Sequence, residues 1–351
     1  MKKNQKIIIG WSLILLMGLG TSCSRYESTE ETQREAPKRQ TSTASGVETV
    51  SPYISVGNLN TGKLEVYKYS WPDWNVAGAK EWSFAPTTAL GFSATGSTYF
   101  NGPTDAKVRY NAAFSGATSV VAVTDNSWAG LVTWEGTTVR GTKLWGKYWT
   151  GTSPGIHSGE VLPNGNMALA AADENWVRVY NTSVSSGSNY AQFDIVFAHS
   201  VLWDPVYNRL WVNGKIGSEH VVTALIVGGT RTAPTLTEDS TYRSKLPGSW
   251  AHDLSPYYGD VDKLWASDNQ GVHIFNKVTK QFAPAPGASN RIYVKGISNQ
   301  TEGGVIVETK GENTYSTTVD FFNPTTGVAA GSRTVTNAVF YKGKVFTRAY
   351  Q

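Results

Sequence analysis

The chain has 351 residues, of which 17% are charged and 12% aromatic, with 35 glycines and a formal net charge of +4. Lys2, Lys3 and Lys6 fall in a leader segment, so the rest of the chain is close to neutral. That balance, with no basic run interleaved with aromatics, argues against a nucleic-acid partner. The single cysteine excludes a disulfide framework.

Residues 1–22 read as an export signal: lysines, then the apolar run Ile7 to Leu19, then small residues. The run is short for a membrane span. Cys23 directly follows Leu19-Gly20-Thr21-Ser22, a sequence that resembles a bacterial lipoprotein cleavage site. The expectation is a signal peptide at 1–22 and a lipid on Cys23, which the mass of the mature protein would reveal. An ordinary secretory signal with an incidental cysteine is the alternative. Residues 23–48 are Ser, Thr, Glu, Gln and Arg with little apolar content. Such a segment cannot bury a core and suits a solvated tether. It would hold a folded domain, residues 49–351, away from the outer membrane or cell surface.

From residue 50 onward no segment keeps a helical period. Short alternating runs bounded by Gly, Asn, Asp and Pro recur instead, such as Met167-Ala171 with Trp176-Tyr180 and Lys263-Ala266 with Val272-Asn276. First-strand starts align at Asp105, His157, His199, His252, Lys295 and Asn337, with steps of 52, 42, 53, 43 and 42 residues. A period near 40–50 with about four strands per unit predicts an all-β fold, a β-propeller of six four-stranded blades. Seven blades are the alternative count. The N-terminal strands Tyr53-Val56, Leu64-Tyr69 and Glu81-Phe84 lack a first strand, and the C-terminal Asn337-Phe346 region has strands to spare. The two ends are therefore expected to complete one blade together, which protects the sheet edges.

The first strand of each blade lines a propeller's central channel. The alignment brings Asp105, Lys107, His157, His199, His252 and Lys295 toward one mouth. Convergent titratable groups mark functional sites, and His157, His199, His252 and Lys295 are the candidate catalytic residues. Histidines at such positions also serve in some propellers to bond neighbouring blades, which is the structural alternative. Two chemistries fit the set. The three imidazoles could share one divalent metal, with Asp105 or Glu160 as oxygen ligand. Alternatively, His and Lys could act as base and acid in β-elimination on a uronic-acid sugar, with Lys107 or Arg109 neutralising its carboxylate. Asp105, Lys107, Arg109 and Trp250 are thus the candidate substrate-binding residues. Trp250 lies two residues before His252, where it could stack on a sugar ring; Trp128, Trp149 and Trp203 are weaker candidates of the same kind. His220 and His273 fall in outer-strand patterns and read as surface or packing residues.

The segments Asn101-Gly102-Pro103-Thr104-Asp105-Ala106-Lys107-Val108-Arg109, His157-Ser158 with Leu162-Pro163-Asn164-Gly165-Asn166, Ala198-His199-Ser200-Val201-Leu202-Trp203-Asp204-Pro205 and Val319-Asp320-Phe321-Phe322 resemble an uncharacterised family of exported bacterial β-propeller proteins. The resemblance implies a six-bladed propeller and export, and no activity. The His-rich channel is loosely similar to that of oligogalacturonate lyase-type propellers, which place several His around a metal. The reading is a lipid-anchored, monomeric propeller that acts on carbohydrate as a lyase or glycoside hydrolase. A non-catalytic glycan-binding lipoprotein and a protein-interaction scaffold are the alternatives.

Overall fold

A computed structural model describes residues 50–350 apart from 185–186 and 312–314. The leader 1–22, the tether 23–48 and the lipidation candidate Cys23 lie outside the described residues.

Six four-stranded antiparallel sheets form the ring. Five blades are plain meanders whose innermost strands are Pro103–Tyr110, Ile156–Val161, Val196–Asp204, Asp253–Pro256 and Val294–Asn299. The sixth is built from both ends of the chain. Its innermost strand, Phe340–Val345, pairs with Tyr53–Asn58, which continues into Lys63–Lys68 and Lys80–Phe84. Pairs such as Ile54 with Val345 and Ser55 with Lys344 close the ring, as the sequence predicts. Six blades is the observed count.

The local chemistry explains why each strand sits where it does. Met167–Ala171 is buried throughout and Trp176–Tyr180 nearly so, whereas the outermost strand of that blade, Tyr190–Asp194, alternates exposed and half-buried positions. Continuous apolar runs belong to strands covered on both faces, and polar alternation to an edge. Tight turns link the strands. In Leu162-Pro163-Asn164-Gly165-Asn166, Gly165 adopts φ +85°, its N–H donates to Leu162 O, and Asn164 Oδ1 accepts from Asn166 N–H at 3.0 Å.

The core is a set of wedges between blades rather than one central mass. Ala122, Leu131 and Trp145 of one blade pack on Leu169, Trp176 and Tyr180 of the next. Ala168 and Val177 then meet Val201 and Val212. Trp128 and Trp203 belong to these wedges and Trp149 packs against one, so these three support the core. Polar side chains of the innermost strands lace blade to blade across the channel. Ser158 Oγ accepts from Val201 N–H, Ser200 Oγ from Leu254 N–H, and Asp253 Oδ2 from Ile297 N–H.

Candidate functional site

Each histidine or lysine at the channel mouth owes its direction to a local irregularity. The ladder skips one residue between Ile156 and Ser158 and between Val294 and Gly296, and three between Val196 and Ser200. These bulges release His157, His199 and Lys295 from the regular pleat and turn them into the mouth. His252 sits just before its strand, with its N–H donated to Ser267 O. The first blade has its bulge between Pro103 and Asp105, so the residue equivalent to His157 is Thr104. Thr104 Oγ1 donates to Ile156 O at 2.8 Å, a blade-to-blade tie. In the sixth blade the irregularity falls between Phe340 and Gly343, at Tyr341 and Lys342. The expected sixth position, Asn337, precedes that strand.

The three imidazoles form a short arc. The rings of His157 and His199 lie 4.4 Å apart, and those of His199 and His252 6.0 Å apart. His157 Nδ1 is 2.7 Å from Gly155 O and His199 Nδ1 is 3.0 Å from Phe197 O. A carbonyl can only accept, so both Nδ1 atoms carry the proton and both Nε2 atoms keep a lone pair. His252 Nε2 is 2.6 Å from Asn269 Oδ1, which assigns the proton to Nε2. Lys295 Nζ lies 3.1 Å from both ring nitrogens of His252, and only Nδ1 remains free to accept from it.

Burial decides the charge states. Burial, with the Lys342 ammonium adding to it, holds His157 down at about 4. Burial and then Lys295 lower His252 to about 3. Burial and the neighbouring His157 bring His199 well below the usual imidazole range. All three are neutral at pH 7. Lys295 is lowered to about 8, chiefly by burial and further by Lys342. It is therefore mostly ammonium at pH 7 and half free amine at pH 8.

A cavity of about 680 Å³ opens over this arc, lined by His199, His252, Asn269 and Lys295 and rimmed by Trp250, Tyr293 and Tyr315. Among the described residues lining it, Lys295 alone is charged at neutral pH, and no carboxylate is present. Asn269 and Tyr315 are lining residues that the repeat alignment does not reveal, because they lie outside the innermost strands.

The remaining candidates lie elsewhere. Asp105, Lys107 and Arg109 alternate along one strand on one face, so they descend the channel instead of gathering at its mouth. At about 3.3 Å per residue, Asp105 to Arg109 covers roughly 13 Å. Asp105 and Lys107 are buried and ion-paired, and Lys344 Nζ bridges Asp105 at 3.0 Å and Asp253 at 2.9 Å. Burial works to raise Asp105, but Lys107 and Lys344 overcome it and hold the carboxyl well below its usual range. Ser158 Oγ donates to Asp105 at 2.6 Å, and Lys342 Nζ reaches His157 O at 3.1 Å and Asp253 at 3.4 Å. Arg109 grips Glu160 through two bonds at 3.0 and 3.1 Å, at the other end of this ladder. There it lies under the C-terminal segment, donating to Thr347 O and Ala349 O and stacking on Tyr350 at 4.9 Å. The space between Lys107, Tyr258 and Lys344 is about 20 Å³, room for about one water. Beside Asp105, Lys107 and Arg109, the expected substrate-binding residues, that space admits a water and not a sugar. Their partners are each other, because buried charges must be paired.

The metal expectation fares similarly. Among the described residues, no group of three His, Cys, Asp or Glu side chains is arranged to hold a metal ion. His157 and His199 keep free Nε2 lone pairs, but His252 faces an amine and Glu160 is committed to Arg109, so neither joins them as a third ligand. Of the two outer histidines, His273 bonds Asp268 at 3.0 Å inside its blade, and His220 lies 5.7 Å from the Trp250 ring.

No curated protein matches the chain. Solved structures with the same architecture include a protein of unknown function from Bacteroides caccae, at 10% identity and TM-score 0.54 over 84% of this chain and 98% of that one. A chain of the nidogen/laminin complex matches at 14% identity and TM-score 0.51 over the same shares. At such identities the likeness concerns the fold alone. The sequence itself fits a single described family over residues 75–320, and the chain belongs to that family of unknown function, DUF6528.

Proposed function

We propose that this propeller is an exported, lipid-anchored surface protein whose histidine–lysine mouth takes an acidic carbohydrate. One observation carries the reading: a roomy, aromatic-rimmed cavity in which Lys295 is the single charged residue among the described lining residues. A carboxylate-bearing sugar supplies the missing negative charge, its ring face suits Tyr293, and the free Nε2 of His199 offers a lone pair to a hydroxyl.

The same groups favour elimination over hydrolysis. Glycoside hydrolysis calls for two carboxyl groups flanking the scissile bond, and the described lining residues contain none. In elimination, Lys295 as free amine takes the proton from the carbon next to the sugar carboxylate. The released electron pair forms a C=C bond, the neighbouring C–O bond breaks, and the departing oxygen takes a proton from a cavity-lining phenol, Tyr293 or Tyr315. An amine at about 8 suits a base working near neutrality. A binding-only reading is favoured by His252, whose two ring nitrogens are already engaged by Asn269 and Lys295.

Incubation with uronic-acid oligosaccharides from pH 6 to 9 separates the two. Elimination predicts an ultraviolet-absorbing unsaturated product, with a rate that rises through about pH 8. Binding alone predicts no product and an affinity that falls over the same interval. Neither product nor binding at any pH sinks both readings.

A further inference from the structure

Three large aromatics hold a backbone conformation that side chains normally avoid, and all three stand at the same place in the repeat. Phe197 (φ +54°), Trp250 (φ +61°) and Tyr293 (φ +58°) each lie two residues before a mouth side chain, namely His199, His252 and Lys295. The fourth such position, two residues before His157, is Gly155 at φ +66°. The left-handed region is natural for glycine and costs other residues free energy. In two blades the backbone there has a clear duty, since the carbonyls of Gly155 and Phe197 take the Nδ1 proton of the following histidine. Gly155 performs that duty without a side chain, so the backbone does not explain the aromatics.

Core packing does not explain them either. None of the three joins a hydrophobic core cluster. Trp250 is 45% exposed. Phe197 meets it edge-on at 4.6 Å, which extends the aromatic surface from the Trp250 and Tyr293 rim toward the third blade. Strain that persists without a packing return is a mark of function.

We infer that Phe197, Trp250 and Tyr293 form a stacking ledge, so that the mouth takes a chain of several sugar units and not a single acidic sugar. This rests on the carbohydrate reading. One unit sits over Lys295, and the neighbouring units stack along Trp250 and Phe197. The ledge covers only the third to fifth blades, which gives the bound chain one direction across the mouth.

The test uses Phe197→Gly and Trp250→Gly, with Trp250→Ala as control, and reads melting temperature together with affinity. The probes are galacturonic acid, its tetrasaccharide, and the carboxyl-reduced tetrasaccharide. Glycine relieves the left-handed strain and alanine does not, so Trp250→Gly is expected to melt no lower than wild type and above Trp250→Ala. Affinity for the acidic tetrasaccharide is expected to fall about two- to tenfold per variant, with monosaccharide affinity unchanged in Phe197→Gly, whose ring lies outside the cavity lining. Variants that melt several degrees lower yet keep full tetrasaccharide affinity would assign the rings to packing and overturn the ledge. Equal losses on mono- and tetrasaccharide for Phe197→Gly, or a wild type that binds neither tetrasaccharide, would overturn it too. A wild type that binds the reduced tetrasaccharide as well as the acidic one, with the glycine variants weakened on both, would keep the ledge and remove the acidic-sugar reading.

Discussion

Lys295→Met is expected to lower affinity for a uronic-acid oligosaccharide at pH 7 by about tenfold to a hundredfold, the scale of one charge-assisted hydrogen bond. Any elimination activity should vanish with it. The fold should not suffer, and the sign follows from the proton balance. Burial lowers Lys295 to about 8, below the ordinary lysine value of 10.5. The folded protein therefore sheds this proton before the unfolded chain does as pH rises. Burying the charge costs stability below about pH 8, and the cost fades between 8 and 10.5. Methionine removes that cost, so the variant should melt at or above the wild-type temperature at pH 7. Lys295→Arg adds the discriminating arm. Arginine keeps the positive charge but cannot deprotonate in this range, so binding should largely survive while turnover does not. A methionine variant with unchanged affinity would remove Lys295 from the site.

Asp253→Asn, by contrast, is expected to cost about 3–5 kcal/mol of stability, the scale of leaving a buried charge without its partner. Asp253 accepts from Lys344 at 2.9 Å, Lys342 at 3.4 Å, Ser200 Oγ at 3.3 Å and the Ile297 N–H at 3.1 Å. Asparagine preserves the shape and can still accept the backbone bond, so the change isolates the charge. The channel makes this loss severe. Lys107, Arg109, Lys342 and Lys344 already outnumber Asp105, Glu160 and Asp253 among its paired buried groups. Burial lowers Lys107 to about 8 and also lowers Lys342, and the Lys344 ammonium works in the same direction on both, whereas Lys344 is raised against burial by the carboxylates of Asp105 and Asp253. Lys342→Met should therefore cost much less than Asp253→Asn, because it moves the channel toward neutrality. Denaturant midpoints of the two variants check the asymmetry; equal costs would show that packing, and not charge balance, governs the channel.

Much of the architecture was legible because a propeller repeats. The recurring order around Leu162-Pro163-Asn164-Gly165-Asn166, and the unpaired strands at both ends, led to six blades and to ring closure through Phe340–Val345. The mouth histidines were legible for the same reason. What the period could not carry was depth and register. A bulge inserts one residue without changing the overall spacing, so Thr104, and not Asp105, stands in the place of His157. Strand alternation put Asp105, Lys107 and Arg109 on one face but said nothing of how far down the channel each would lie. Tyr341 and Lys342 fill the sixth position without a histidine to mark them. The cavity wall was partly readable after all: Phe197-Ala198-His199, Trp250-Ala251-His252 and Tyr293-Val294-Lys295 share an aromatic two residues ahead of the mouth group. Gly155 before His157 hides that pattern, and the left-handed backbone that unites the four emerges only in three dimensions.

The claim that the mouth selects a negatively charged sugar chain is tested most directly by calorimetric titration of the wild-type protein at pH 7. The ligands are tetragalacturonate and its carboxyl-reduced counterpart, which differ in charge and little in shape. The cavity, with Lys295 as the charged group and no carboxylate among its described lining residues, predicts at least about tenfold tighter binding of the acidic form. Equal affinity for both, or tighter binding of the neutral chain, would contradict it.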